Sequence, residues 1–133
     1  MRILVLEDDP QRHDYFRKVF AEPGDFLAIV ERAEDAILAL VNRSWDLLCL
    51  DHDLGHKVNM ISGPGTGYEV AVWLEEHPER IPGKVIIHSY NPVGADLMNK
   101  ALPNAKQIPG AWLYPARAVL ESMKPIQIFT TSC

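Results

Sequence analysis

Short apolar runs separated by amphipathic stretches constrain this chain more than any other feature. Residues 3–6 (Ile-Leu-Val-Leu), 26–30, 46–50 and 84–88, and more weakly 105–108, read as strands. Helical patterns fill the intervals: Asp9 onward, then 34–41, 67–77, 91–102 and 115–123. Strands that are apolar on both faces belong in a parallel sheet covered by helices on both sides. Right-handed crossovers then leave few topologies. The expected fold class is therefore α/β, a doubly wound parallel five-stranded sheet in the order 2-1-3-4-5.

Local signals agree with that reading. Asp9 can cap the first helix with Pro10 at its first position, where a missing amide hydrogen costs nothing. Phe16, Val19 and Phe20 share one face of it, and Glu22-Pro23-Gly24-Asp25 ends it. Ile37, Leu38, Leu40 and Val41 are expected to form the apolar side of the second helix. Val70, Val72, Trp73 and Leu74 do so for the third, which Pro78 closes. Trp73, Leu74, Leu97 and Met98 are expected in the core. Residues 56–66 form the one long irregular stretch, of the kind usually tied to function in a compact domain. No internal repeat or linker interrupts the 133 residues, so a single domain over 1–133 is expected, with 124–133 as a frayed tail or an added edge strand. The strand-five and tail region could pair between chains, which leaves a homo-oligomer open.

Composition excludes several classes. Eighteen acidic residues against thirteen Lys and Arg give a net charge of -5, which argues against a broad nucleic-acid-coating surface. The longest apolar run, 36–41, is far short of the roughly 20 residues that span a bilayer. Cys49 lies inside an apolar run and Cys133 is the last residue, so no disulfide framework is expected and a cytoplasmic setting is the default. A small anionic ligand, held by a local site or a bound cation, remains compatible.

In a sheet of this order, ligands sit beyond the carboxyl ends of the strands, near the switch between strands one and three. Glu7, Asp8 and Asp9 follow strand one; Asp51, His52 and Asp53 follow strand three. As many as five carboxylates would converge there, and like charges cannot all ionise at close range unless a cation shares them. Carboxylate oxygens plus water suit Mg²⁺ or Mn²⁺. The competing reading has Asp8 or Asp9 capping a helix and Asp53 making a turn. Strand alternation turns His52 away from its two acidic neighbours, although the turn can override this.

After strand four comes His88-Ser89-Tyr90-Asn91-Pro92-Val93-Gly94. Asn91 before Pro92 makes a good helix cap, and a helix start aimed at the same edge is also a natural phosphate seat. Ser89 can donate a hydroxyl. His88 is either a general acid–base or simply a histidine hydrogen-bonded in place. The glycines of Ser62-Gly63-Pro64-Gly65-Thr66-Gly67 match no phosphate-loop pattern; Gly67 is expected to pack closely under the site. His13, His56 and His77 show no metal-ligand spacing with cysteine. Trp112 and Tyr114 are either core or the rim of a base-stacking site.

LVLEDDP at residues 4–10 resembles the start of response-regulator receiver domains, with Glu7 and Asp8 matching their metal-binding acidic pair. Asp51 falls on the receiver phospho-acceptor and Ser89 near the hydroxyl residue after strand four. Receivers, however, carry a lysine before proline after strand five, where this chain has Ile108-Pro109; Lys106 lies two residues too early. DHDLG at 51–55 and HSYNPVG at 88–94 are not ordinary receiver sequences either. With the glycine-led helix Gly67-Tyr68-Glu69-Val70-Ala71, they are similar to the cyclic-phosphate processing receiver domains. That resemblance runs from about residue 2 to 102. It implies a flavodoxin-like, receiver-like fold and a site of Glu7, Asp8, Asp51, His52, Asp53, His88, Ser89 and Asn91.

The leading expectation is a metal-assisted phosphoesterase acting on a cyclic nucleotide or an RNA 2′,3′-cyclic phosphate. Glu7, Asp8, Asp51 and Asp53 would hold Mg²⁺ (or Mn²⁺). Ser89, Asn91 and Gly94 would bind phosphate oxygens, and His88, or secondarily His52, would move the proton beside Asp51. A second reading is a sensor or sequestering module that binds a cyclic nucleotide without turnover. A third is an ordinary receiver phosphorylated on Asp51, against which the missing lysine argues.

Overall fold

The computed structural model describes residues 1–54 and 65–108. Its elements follow one another as β1 (Arg2–Leu6), α1 (Pro10–Val19), β2 (Phe26–Val30), α2 (Ala33–Asn42), β3 (Leu47–Leu50), α3 (Gly67–Glu76), a 3₁₀ turn (Pro78–Arg80), β4 (Lys84–Ile87), α4 (Pro92–Ala101) and β5 (Lys106–Gln107). All strand pairs are parallel and the sheet order is β2-β1-β3-β4-β5. The expected fold class and strand order are therefore those observed. The expected fifth helix, the tail, Trp112, Tyr114 and most of 56–66 lie outside the described residues.

Alternation along the strands divides the interior in two. Leu4, Leu6, Leu48, Leu50, Val85 and Ile87 face α2, α3 and α4, meeting Ala36, Leu40, Val70, Leu74 and Met98. Ile3, Val5, Leu47, Cys49 and Ile86 face the other way, against Phe16 and Phe20 of the α1 region. Both faces are thus covered over residues 3–6 of β1 and over β3, which is why those stretches contain no polar residue. Burying one such Leu, Ile or Val contributes about 1.5–3 kcal/mol relative to exposure.

Two of the helices, α1 and α4, begin where a side chain satisfies a free amide. Asp9 accepts from the Gln11 amide with Pro10 behind it, and Asn91 accepts from the Gly94 amide with Pro92 behind it. The buried face of α2 corrects one expectation. Ala33, Ala36 and Leu40 are buried there and Ile37 packs beside them, while Leu38 and Val41 are 59% and 45% exposed. The small alanines continue the three- and four-residue stripe and let the helix lie close to the sheet, so Leu38 and Val41 fall on the outer side. In the third and fourth helices Leu74 and Met98 are buried as expected, whereas Trp73 and Leu97 are only half-buried. Trp73 stacks on His77 with ring centroids 4.3 Å apart. Among the described residues, no helix is long and apolar enough to cross a membrane.

Candidate functional site

Parallel register sets the site. Leu6 pairs with Leu50, and Leu50 with Ile87, so the residues that follow them, Glu7, Asp51 and His88, emerge side by side at one sheet edge. One ligand atom from each of these three lies within 4.8 Å of the others, and all three residues are buried.

Glu7 is fully buried yet richly hydrogen-bonded. Its Oε2 accepts the backbone amides of Asp8 (2.9 Å) and Asp9 (3.2 Å). Its Oε1 receives Arg12 Nη1 at 3.4 Å and His88 Nε2 at 3.3 Å. The Glu7 carbonyl takes a 2.6 Å bond from His13 Nε2, which locks the turn into α1. Burial pushes the Glu7 carboxyl up, but the His88 contact, the Asp9 amide and Arg12 together outweigh it and hold it well below the usual carboxylate range. Burial pulls His88 down, against the opposing pull of Glu7. The Glu7 carboxylate is thus held by the backbone amides of Asp8 and Asp9, by Arg12 and by His88. The edge of the Phe16 ring walls off the imidazole at 5.1 Å between centroids.

Asp51 lies in the opposite regime. Burial and the neighbouring Glu7 charge push its carboxyl up to about 8, and neither Arg12 nor the His52 amide compensates. Its Oδ1 accepts the His52 backbone N–H at 2.9 Å, and Arg12 Nη1 stands 3.9 Å from Oδ2. Gly67 closes the floor. Its amide donates to the His52 carbonyl, and any Cβ there would collide with the Asp51 carbonyl. The expected close packing of Gly67 has this cause.

A second polar network adjoins the first. His52 Nδ1 donates to Asp53 Oδ1 at 2.7 Å, and Asn91 Nδ2 donates to the same oxygen at 3.1 Å. Asn91 Oδ1 accepts the Gly94 amide, while the Asn91 amide donates to Ser89 Oγ at 3.0 Å. The fully buried His52 ring fills the space a Gly94 side chain would need. The turn after β3 overrides strand alternation here: His52 and Asp53 face each other instead of opposite sides.

Of the expected site residues, the structure thus brings Glu7, Asp51 and His88 together around one point. Asp53, His52, Asn91 and Gly94 gather in the adjoining network, where Ser89 Oγ accepts the Asn91 backbone amide. Half-buried Asp8 contributes its amide to Glu7, but its carboxylate is not among the three converging ligand atoms. Two carboxylate oxygens suit Mg²⁺, and the imidazole nitrogen makes Mn²⁺ an equally good fit. Two buried acids with one raised to about 8 form a donor set that a divalent cation would discharge. Sequence reasoning missed Arg12 and His13, which hold Glu7 from α1. The available signal was their place in the first turn of a helix that begins directly after the acidic pair.

Solved structures with similar folds are receivers. The response regulator TrrA of Thermotoga maritima, in complex with Mg²⁺ and BeF, superposes with a TM-score of 0.70 at 21% identity, covering 92% of this chain and 97% of that one. A CheY-like receiver domain protein from Methanospirillum hungatei gives 0.63 at 22% identity, covering 90% and 87%. TrrA in complex with the histidine kinase ThkA gives 0.66 at 20% identity, covering 92% and 97%. These likenesses establish the receiver-like, flavodoxin-like fold. No curated protein matches this chain in sequence. Residues 2–104 match the family described as the cyclic-phosphate processing receiver domain, and the chain belongs to that family.

Proposed function

We propose that this protein binds a cyclic phosphate, a cyclic nucleotide or an RNA 2′,3′-cyclic end, at its β1–β3–β4 edge and opens the ring with water. The observation that carries the reading is the convergence of Glu7, Asp51 and His88 within 4.8 Å in a chain of this family. A divalent cation held there would supply polarisation of the phosphoryl oxygens and activation of water. Glu7 and Asp51 would hold that cation, with Asp8 at the rim. Water adds to phosphorus, the P–O bond to one ring oxygen breaks, and the product is a phosphomonoester bearing a free hydroxyl. His88 takes the proton of the attacking water and passes it to the departing alkoxide, a role suited to an imidazole whose Nε2 is already held by Glu7. Ser89 offers a hydroxyl to a phosphoryl oxygen. Asn91 and Gly94 act through Asp53 and His52, because the Gly94 amide is already committed to Asn91 and Pro92 has none.

The test is incubation with Mg²⁺ or Mn²⁺ and a panel of 2′,3′-cyclic mononucleotides and cyclic oligonucleotides. Linear monoester product is expected, and its absence across the panel would remove the catalytic reading. The near-complete burial of Glu7, His88 and Asp51, 0%, 0% and 4% exposed, favours a second reading of capture without turnover. Tight binding with the ligand recovered intact after long incubation would select it.

A further inference from the structure

We infer that Arg12 is the phosphate-oxygen ligand of this site, filling from α1 the role that receivers assign to the lysine after strand five. The inference rests on the proposed phosphate chemistry. Three observations lead to it.

The lysine position is apolar here. Ile108 donates its amide to the Ile87 carbonyl, and its side chain packs into the Phe16 and Ile86 cluster. Lys106 is exposed at the start of β5, opposite Ile86 and one residue short of the pairing with Ile87. Arg12, by contrast, sets Nη1 3.4 Å from Glu7 Oε1 and 3.9 Å from Asp51 Oδ2. It also reaches Asp9 with Nε at 3.7 Å. Among the described residues, Arg12 is the basic side chain ion-paired to these two carboxylates.

Charge balance gives that position a purpose. Glu7 and Asp51 together match one divalent cation, so an anionic phosphate ester brings one further negative charge. A guanidinium beside the cluster answers it and can grip two oxygens at once. The side chain is 30% exposed, and its guanidinium carbon lies 5.8 Å from the centroid of the Tyr90 ring. That aromatic face orients the guanidinium at the mouth of the site and reduces the ordering needed when an anion arrives.

The test uses the whole protein with Mn²⁺ present, and compares wild type, Arg12→Lys and Arg12→Gln by equilibrium dialysis against inorganic phosphate and against 2′,3′-cyclic AMP. Mn²⁺ binding is followed separately by electron paramagnetic resonance, and thermal melting reports folding. Arg12→Gln is expected to weaken phosphate by about tenfold or more, the scale of a charge-assisted contact, without weakening Mn²⁺. Arg12→Lys, which keeps the charge but loses the fork, is expected between the two and serves alone if the Gln variant does not fold. Phosphate affinity unchanged in the variants, or lost only in step with Mn²⁺, overturns the assignment. Wild-type binding of phosphate but not of the cyclic ester, with the Arg12 effect present, would sink the cyclic-phosphate reading and leave Arg12 standing. Binding of neither probe by the wild type refutes both.

Discussion

Asp51 is expected to weaken the fold it sits in, and Asp51→Asn measures by how much. In metal-free buffer its carboxyl is raised from 3.8 to about 8 by burial and by the Glu7 charge. Between those pH values the unfolded chain has released the proton that the native state still holds. Native protein therefore binds more protons, and this group's contribution to stability falls as pH rises from about 4 to about 8. At about 1.36 kcal/mol per unit, the ceiling is roughly 6 kcal/mol at pH 8. Part of the effect belongs to Glu7, and the amide also forfeits the Arg12 contact at 3.9 Å. An Asn keeps Oδ1 for the His52 amide and turns an N–H toward the side that faces Glu7 as well as Arg12. A gain of about 2 kcal/mol at pH 8 is expected, which for a domain this size is a Tm rise of roughly 5–10 °C. At pH 4.5 the gain should nearly vanish. Urea or thermal denaturation with EDTA at both pH values decides it. An Asn variant less stable than wild type at pH 8, or equally stabilised at both, would refute the reasoning.

Three further outcomes follow from the same geometry. Gly94→Ala pushes a methyl into the His52 ring and should cost about 1–3 kcal/mol in urea denaturation; if the clash is the cause, the double variant with His52→Ala recovers part of that loss. Mg²⁺ or Mn²⁺ at about 100 times its dissociation constant should stabilise the wild type by about 2.7 kcal/mol, and a thermal shift that persists undiminished in Glu7→Gln would place the ion elsewhere. His88→Gln should lower turnover of a 2′,3′-cyclic nucleotide by about 10²–10⁴-fold, while equilibrium dialysis still finds the ester bound.

The sheet was legible because residues 3–6 of β1 and all of β3 are covered on both faces and so carry no polar residue to blur the pattern. Where burial was one-sided, the pattern misled. In α2, size suggested Leu38 and Val41 for the core, but close packing selected Ala33 and Ala36 instead. The acidic strand ends were legible because strand order fixes which carboxyl termini are neighbours, and the missing lysine could be read directly at Ile108-Pro109. Two features were not. Arg12 has the look of any charge on a helix surface until α1 is laid against the strand ends. The His52–Asp53 contact depends on a turn whose course no alternation rule supplies.

Three consecutive residues consequently serve two networks. Asp51 faces Glu7 and Arg12, while His52 and Asp53 face Asn91 and the start of α4. Their shared backbone is pinned twice: the Asp51 amide donates to the Leu6 carbonyl, and the Gly67 amide donates to the His52 carbonyl. Gly67 packs directly under the Asp51 carbonyl and leaves no room for a side chain there. The His52 ring lies against Gly94 and hydrogen-bonds the Asp53 oxygen that Asn91 also holds. The residues after β3 thus tie the carboxylate cluster to the start of α4 through one continuous set of contacts. A purely electrostatic site would need only Glu7, Asp51 and a cation. The DHD and HSYNPVG segments add to it hydrogen bonds that tie this sheet edge to a helix end.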